Sequence, residues 1–201
     1  MTWLNWPNRI TVARIVLVGP LVICLLNLND PTVPWRWITL GLVLLMALSD
    51  ALDGFVARRF HAESALGAFL DPVADKLFIT SALIILAIDA TAIPVFRIPS
   101  WVPVVAIGKD LVVITGFLLI YASTGRFYLR PHIWGKACTT LQLLLVGYVL
   151  AGPTLPAQWR FLVPVLSWAG GALAVIAAAD YIRVGNRFTN EHHANSQRPN
   201  A

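Results

Sequence analysis

Four aspartates, an arginine and three small residues stand at fixed intervals inside otherwise apolar sequence: Asp50, Asp53, Gly54, Ala57 and Arg58, then Gly67, Asp71 and Asp75. On a helix the first group falls at i, i+3, i+4, i+7 and i+8, and the second at i, i+4 and i+8. Each group therefore makes one stripe. A short connection joins the two segments, so they are expected to be antiparallel neighbours whose stripes face each other. One charge at mid-membrane depth costs about 2.5–3.5 kcal/mol on insertion scales, so four carboxylates together demand counter-charge. Arg58 and Lys76 offset part of it. Divalent cations offset it better, and carboxylate oxygens favour magnesium, manganese or calcium. Cys24 and Cys138 lie apart from any histidine, which argues against zinc. Gly54 and Ala57 leave room for a nucleotide phosphate or ribose against the helix backbone. Tight helix packing accounts for these two small residues but not for the acids around them. The chemistry this pattern suits is metal-assisted handling of a phosphorylated substrate.

The elements that must carry these residues are membrane helices. Of 201 residues, 58% are hydrophobic and 12% charged, against about 25% charged in a soluble domain. Apolar runs predict six spans near 10–28, 35–57, 68–90, 101–122, 134–152 and 160–184, forming one all-α integral membrane domain over residues 1–185. Residues 1–9 read as an interfacial segment that Pro7 ends, and the first apolar run as a retained span rather than a cleaved signal. The polar stretch 186–201 reads as a disordered cytoplasmic tail. Nine Lys and Arg residues (Arg9, Arg58, Arg59, Arg126, Arg130, Lys136, Arg183, Arg187, Arg198) fall to one side of the spans, and three (Arg36, Arg97, Arg160) to the other. This bias puts both termini and the acidic stripes on the cytoplasmic side. Tryptophans near both sets of span ends fit an interfacial belt. The net charge of +5 is explained by topology and anionic lipid, so no nucleic-acid partner is expected. Both cysteines are expected to be free thiols, and His61, His132, His192 and His193 have no ligand spacing with the acids.

From Asp50 to Asp75 the chain reads D-x2-D-G-x2-A-R-x8-G-x3-D-x3-D. This resembles, position for position, the signature of the CDP-alcohol phosphatidyltransferase family. Pro7-Asn8-Arg9-Ile10-Thr11-Val12-Ala13-Arg14 is similar to that family's N-terminal element. Gly135-Lys136-Ala137-Cys138-Thr139 and the run Gly67 to Lys76 resemble its glycerophospholipid-making branch. The resemblance implies six membrane helices in a homodimer, with the active site open to the cytoplasm, as in a bacterial inner membrane. It implies a CDP-diacylglycerol donor, a glycerol-based acceptor and CMP as leaving group. It further implies two magnesium or manganese ions per site held by Asp50, Asp53, Asp71 and Asp75, with Asp75 as general base. Gly54, Ala57, Arg58, Asn8 and Thr11 match positions that bind the CDP moiety.

Lys109, Arg126, Arg130, Lys136 and Arg183 are the candidates for an anionic acceptor. Positive-inside topology also explains Arg126, Arg130 and Arg183, and Lys109 has an alternative partner in Asp110 beside it. Lys109-Asp110 and Cys138 depart from the form usual in phosphatidylglycerophosphate synthases, while Asp110 and Arg130-Pro131 lean toward cardiolipin synthases, which use phosphatidylglycerol. Glycerol 3-phosphate is narrowly favoured by Gly67 to Lys76. A cation-coupled transporter is the competing class. It leaves Gly54 and the Ala57-Arg58 pair without a role, and no internal repeat supports it.

Overall fold

The computed structural model describes the backbone of residues 6–60, 65–93, 95–124 and 133–196, and side chains within 13–49, 76–93, 95–116 and 133–183. Six long helices make up the fold: α1 Trp6–Leu26, α2 Trp35–Phe60, α3 Ala65–Ala87, α4 Trp101–Thr124, α5 Ile133–Ala151 and α6 Leu162–Ser196. Two short 3₁₀ turns, Gly152–Thr154 and Ala157–Phe161, link α5 to α6. Among the described residues there is no strand. Helix is the expected form for such sequence, because in an apolar setting each backbone amide must find its partner within the segment. Side-chain hydroxyls follow the same rule. Thr39, Ser81 and Ser167 each donate to the carbonyl four residues back, at 2.7, 2.6 and 2.7 Å.

The helix ends differ from the sequence expectation at both termini. Pro7 opens α1 rather than ending a separate segment, because proline in a first turn has no amide to lose. Residues 1–5 lie outside the described set. At the other end α6 continues to Ser196, well into the polar stretch expected to be disordered. Gly185-Asn186 marks a stop at the end of the apolar run, but no proline follows before Pro199 and α6 passes through it.

The interior is apolar, with Leu21, Leu25, Val43, Met46, Leu83, Leu86, Leu145 and Val149 in one cluster. The perimeter is apolar too: Val16, Leu45, Leu48, Val104, Leu111, Val165, Trp168 and Val175 are exposed. Helices that are hydrophobic all round need an apolar medium on their outer face. Two stretches of the described chain, 133–154 and 157–183, are long and apolar enough to cross a membrane. Shorter apolar stretches occupy 13–26, 35–49 and 76–87.

Three connections meet at one end of the bundle. Asn29 donates to the Ala90 carbonyl at 2.8 Å, joining the α1–α2 and α3–α4 loops. Leu28, Asn29, Arg36, Ile93 and Pro153 surround a cavity of about 150 Å³ that all three loops share. The Phe96 ring packs on Gly152 and lies edge-on to Tyr148, 6.2 Å between centroids. Arg36, Arg97 and Arg160 belong to these same connections. Phe60 and Ala65, and Thr124 and Ile133, therefore belong to the opposite helix ends. Close approach between α4 and α6 depends on small residues: a Cβ on Gly171 would lie 2.7 Å from the Trp101 ring, and one on Gly116 2.7 Å from the Tyr181 ring.

Two consequences follow for solution behaviour. Gly152→Ala pushes a methyl into the base of the Phe96 ring and is expected to cost about 1–3 kcal/mol, read as a lowered thermal midpoint in detergent. Asp30 accepts the Thr32 amide at 2.9 Å and the Thr32 hydroxyl at 2.6 Å, and the hydroxyl first, then the amide, holds its carboxyl below the usual aspartate value. With the folded value lowered, this loop contact is present above the unfolded value of about 3.9 and is lost as pH falls through the folded one. Titration of the Asp30 carboxyl by NMR is expected to show the depressed midpoint, and Thr32→Val to return it part of the way.

Candidate active site

Helix continuity through Asp50–Arg58 and Gly67–Asp75 turns the sequence intervals into real stripes, since neither stretch is broken within α2 or α3. At 1.5 Å per residue, Asp50 lies about 15 Å and Asp53 about 10 Å from the end of α2 at Phe60. On α3, Asp71 lies about 9 Å and Asp75 about 15 Å from its start at Ala65. Four residues separate those two ends in the sequence, and the two acidic pairs stand at similar numbers of turns from them. The side chains of Asp50, Asp53, Asp71 and Asp75 lie outside the described set. So do those of Gly54, Ala57 and Arg58 on α2 and of Asn8 and Thr11 on α1.

Helix α1 packs against both α2 and α3. It carries Arg14 about 12 Å from its own start. Arg14 is 2% exposed and ranks among the largest fully buried side chains. An arginine on the helix that touches both acid-bearing helices adds a cation to this part of the bundle. In the sequence Arg14 stands only as part of the N-terminal motif, and its depth on α1, counted from Pro7, is the signal for its burial.

A second charge group lies where α3 meets α4. Lys76, one residue beyond Asp75, donates to Asp110 Oδ1 at 2.6 Å. Lys109 reaches the same oxygen at 3.1 Å. The side chains of Lys76, Asp110 and Lys109 are 35%, 17% and 8% exposed. The Lys109–Asp110 pair was among the sequence expectations, but the tie to Lys76 was not. Opposite charges at similar depth in two apolar helices were the clue. One carboxylate shared by two ammonium groups leaves a surplus of one positive charge, which suits an anionic ligand.

Of the other acceptor candidates, two have described side chains. Lys136 is exposed in the first turn of α5, and Arg183 is exposed on α6. Arg126 and Arg130 lie outside the described set. Cys24 and Cys138 are buried free thiols, as expected. Asp89 pairs with Arg97 in the loop at the far end, which gives it a local role. Among the described residues no group of three or more His, Cys, Asp or Glu could hold a metal ion. The donors that suit one are the four aspartates, hard oxygen ligands paired at i, i+3 and i, i+4 on two continuous helices.

A family model described as CDP-alcohol phosphatidyltransferase matches residues 4–178. The chain is 33% identical over 155 residues to a CDP-diacylglycerol--glycerol-3-phosphate 3-phosphatidyltransferase of Bacillus subtilis, covering 73% of this chain and 76% of the relative. It is 32% identical over 190 residues to the protein of that name in Pseudomonas fluorescens, covering 90% and 89%. A cardiolipin synthase (CMP-forming) of Oryza sativa is 30% identical over 190 residues, covering 90% of this chain and 57% of the relative.

The shared carboxylate has a measurable consequence. Lys109→Met leaves Lys76 on Asp110 and is expected to shift the thermal midpoint by only a few degrees. Asp110→Ala leaves Lys109 buried without its partner and is expected to cost roughly 3 kcal/mol, the lower end for breaking a buried pair. Thermal unfolding of the two variants in detergent compares them directly.

Proposed function

The chain belongs to the CDP-alcohol phosphatidyltransferase family, and from that premise we propose that it transfers a phosphatidyl group from CDP-diacylglycerol to glycerol 3-phosphate. The products are phosphatidylglycerophosphate and CMP. The observation that carries the reading is the complete acidic signature on two unbroken helices, in a chain whose relatives bear that activity in their names.

The donor's nucleotide lies against the α2 stripe, where Gly54 and Ala57 leave the backbone approachable and Arg58 supplies a fork of donors for pyrophosphate oxygens. Asn8 and Thr11 at the start of α1 complete the CDP-binding set. Asp50, Asp53, Asp71 and Asp75 would hold two magnesium or manganese ions, which would neutralise charge on the pyrophosphate. Asp75 takes the proton from the acceptor hydroxyl. That oxygen then bonds to the lipid-bearing β-phosphorus as the bond to CMP breaks. Positioning and charge neutralisation account for most of the rate enhancement in phosphoryl transfer. The surplus charge at Lys76, Asp110 and Lys109, with Lys136, Arg183, Arg126 and Arg130, draws the acceptor's phosphate.

The domain is residues 1–185, with six spans in the membrane and 186–201 as a cytoplasmic extension. The bias of nine basic residues to three supports a cytoplasmic position for both termini and the site, and a bacterial inner membrane is the setting proposed with it. A homodimer is the assembly that the family resemblance carries with it.

A panel of acceptors decides the substrate. With manganese and CDP-diacylglycerol, glycerol 3-phosphate is expected to give phosphatidylglycerophosphate by product mass. Phosphatidylglycerol as the sole productive acceptor would make the chain a cardiolipin synthase instead. Asp75→Asn is expected to lower CMP release by at least about a thousandfold, the scale of losing a metal-linked general base, while the protein stays folded. CMP release at the unaltered rate removes Asp75 from its role.

A further inference from the structure

Asp110 already has a counter-charge beside it in Lys109, yet its Oδ1 also receives Lys76 from another helix, at the shorter distance of 2.6 Å against 3.1 Å. Neutralising Asp110 does not require two lysines. The pairing is therefore better understood from the side of Lys76, which stands next to Asp75 in the chain.

Sequence neighbours on a helix do not normally face each other. Lys109 nonetheless folds back onto the carboxylate of its neighbour Asp110. A flexible four-carbon stem makes that possible. Lys76 has the same separation from Asp75, in the opposite order. In an apolar surrounding an ammonium group goes to the nearest carboxylate. In the sequence the carboxylates beside Lys76 are Asp75, its immediate neighbour, and Asp71, one helical turn before that.

We propose that Asp110 is a positioning residue that holds Lys76 against α4 and so leaves the Asp75 carboxylate open to the divalent cation. The inference rests on the metal-dependent transferase reading above. It concerns which of two positive partners occupies one acid, and Asp110 acts through Lys76 without touching substrate.

The test is manganese binding to purified protein in detergent, followed by the loss of the free-ion EPR signal. It compares the wild type with Asp110→Asn, Lys76→Met and the double variant. Asparagine keeps the shape and one acceptor oxygen but releases Lys76. Asp110→Asn is expected to weaken manganese binding about tenfold, the scale seen when a residue supporting a metal ligand is lost. Lys76→Met is expected to bind at least as tightly as the wild type, and the double variant within about twofold of Lys76→Met. A purely structural role for Asp110 would leave the double variant as weak as Asp110→Asn, and that result overturns the proposal. So does unchanged binding by Asp110→Asn, or weaker binding by Lys76→Met, which stands as the deciding variant if Asp110→Asn does not fold. A wild type that binds no manganese removes the metal reading itself, and this inference with it.

Discussion

Charge inside an apolar bundle must be neutralised where it stands, and this constraint organises the molecule. A carboxylate at such depth cannot draw on water, so each acid needs a cation within reach. The structure meets that demand in three ways. Asp89 is paired with Arg97 in a loop, where the cost is small. Asp110 is shared by Lys76 and Lys109 between α3 and α4. Four further aspartates stand on α2 and α3, with Arg14 buried on the neighbouring α1. Two guanidinium groups, those of Arg14 and Arg58, do not balance four carboxylates, and divalent cations are the proposed counter-charge for the remainder.

The packing serves that arrangement. The far end of the bundle is closed by ordinary apolar contacts: Phe96 on Gly152, Trp101 on Gly171 and the α1–α3–α5 core. A bundle packed in this way at one end would give a rigid scaffold for the proposed site on the acid-bearing stretches of α2 and α3.

Much of this was legible in the sequence because the signals were local. Apolar runs bounded by Pro31, Pro34, Pro94, Pro99 and Pro156 locate the six described helices within a few residues, except at the end of α6. The i, i+3 and i, i+4 spacing of the acids needed only helical geometry to become a stripe. The termini were less legible. Pro7 reads as a breaker until its place in a first turn is known, and α6 passes through the stop at Gly185-Asn186 into the polar run expected to be a disordered tail. The Lys76–Asp110 tie was hidden for another reason. It joins residues 34 positions apart, and no local pattern says which of two lysines a given aspartate will take, or that it will take both.

The central claim is that acids from two helices grip shared divalent cations. Anomalous scattering from crystals of the manganese-loaded protein tests it most directly. The account predicts manganese peaks within about 2.0–2.6 Å of carboxylate oxygens from both α2 and α3, among Asp50, Asp53, Asp71 and Asp75. Manganese bound by the acids of one helix alone, or found only at the protein surface, would contradict it.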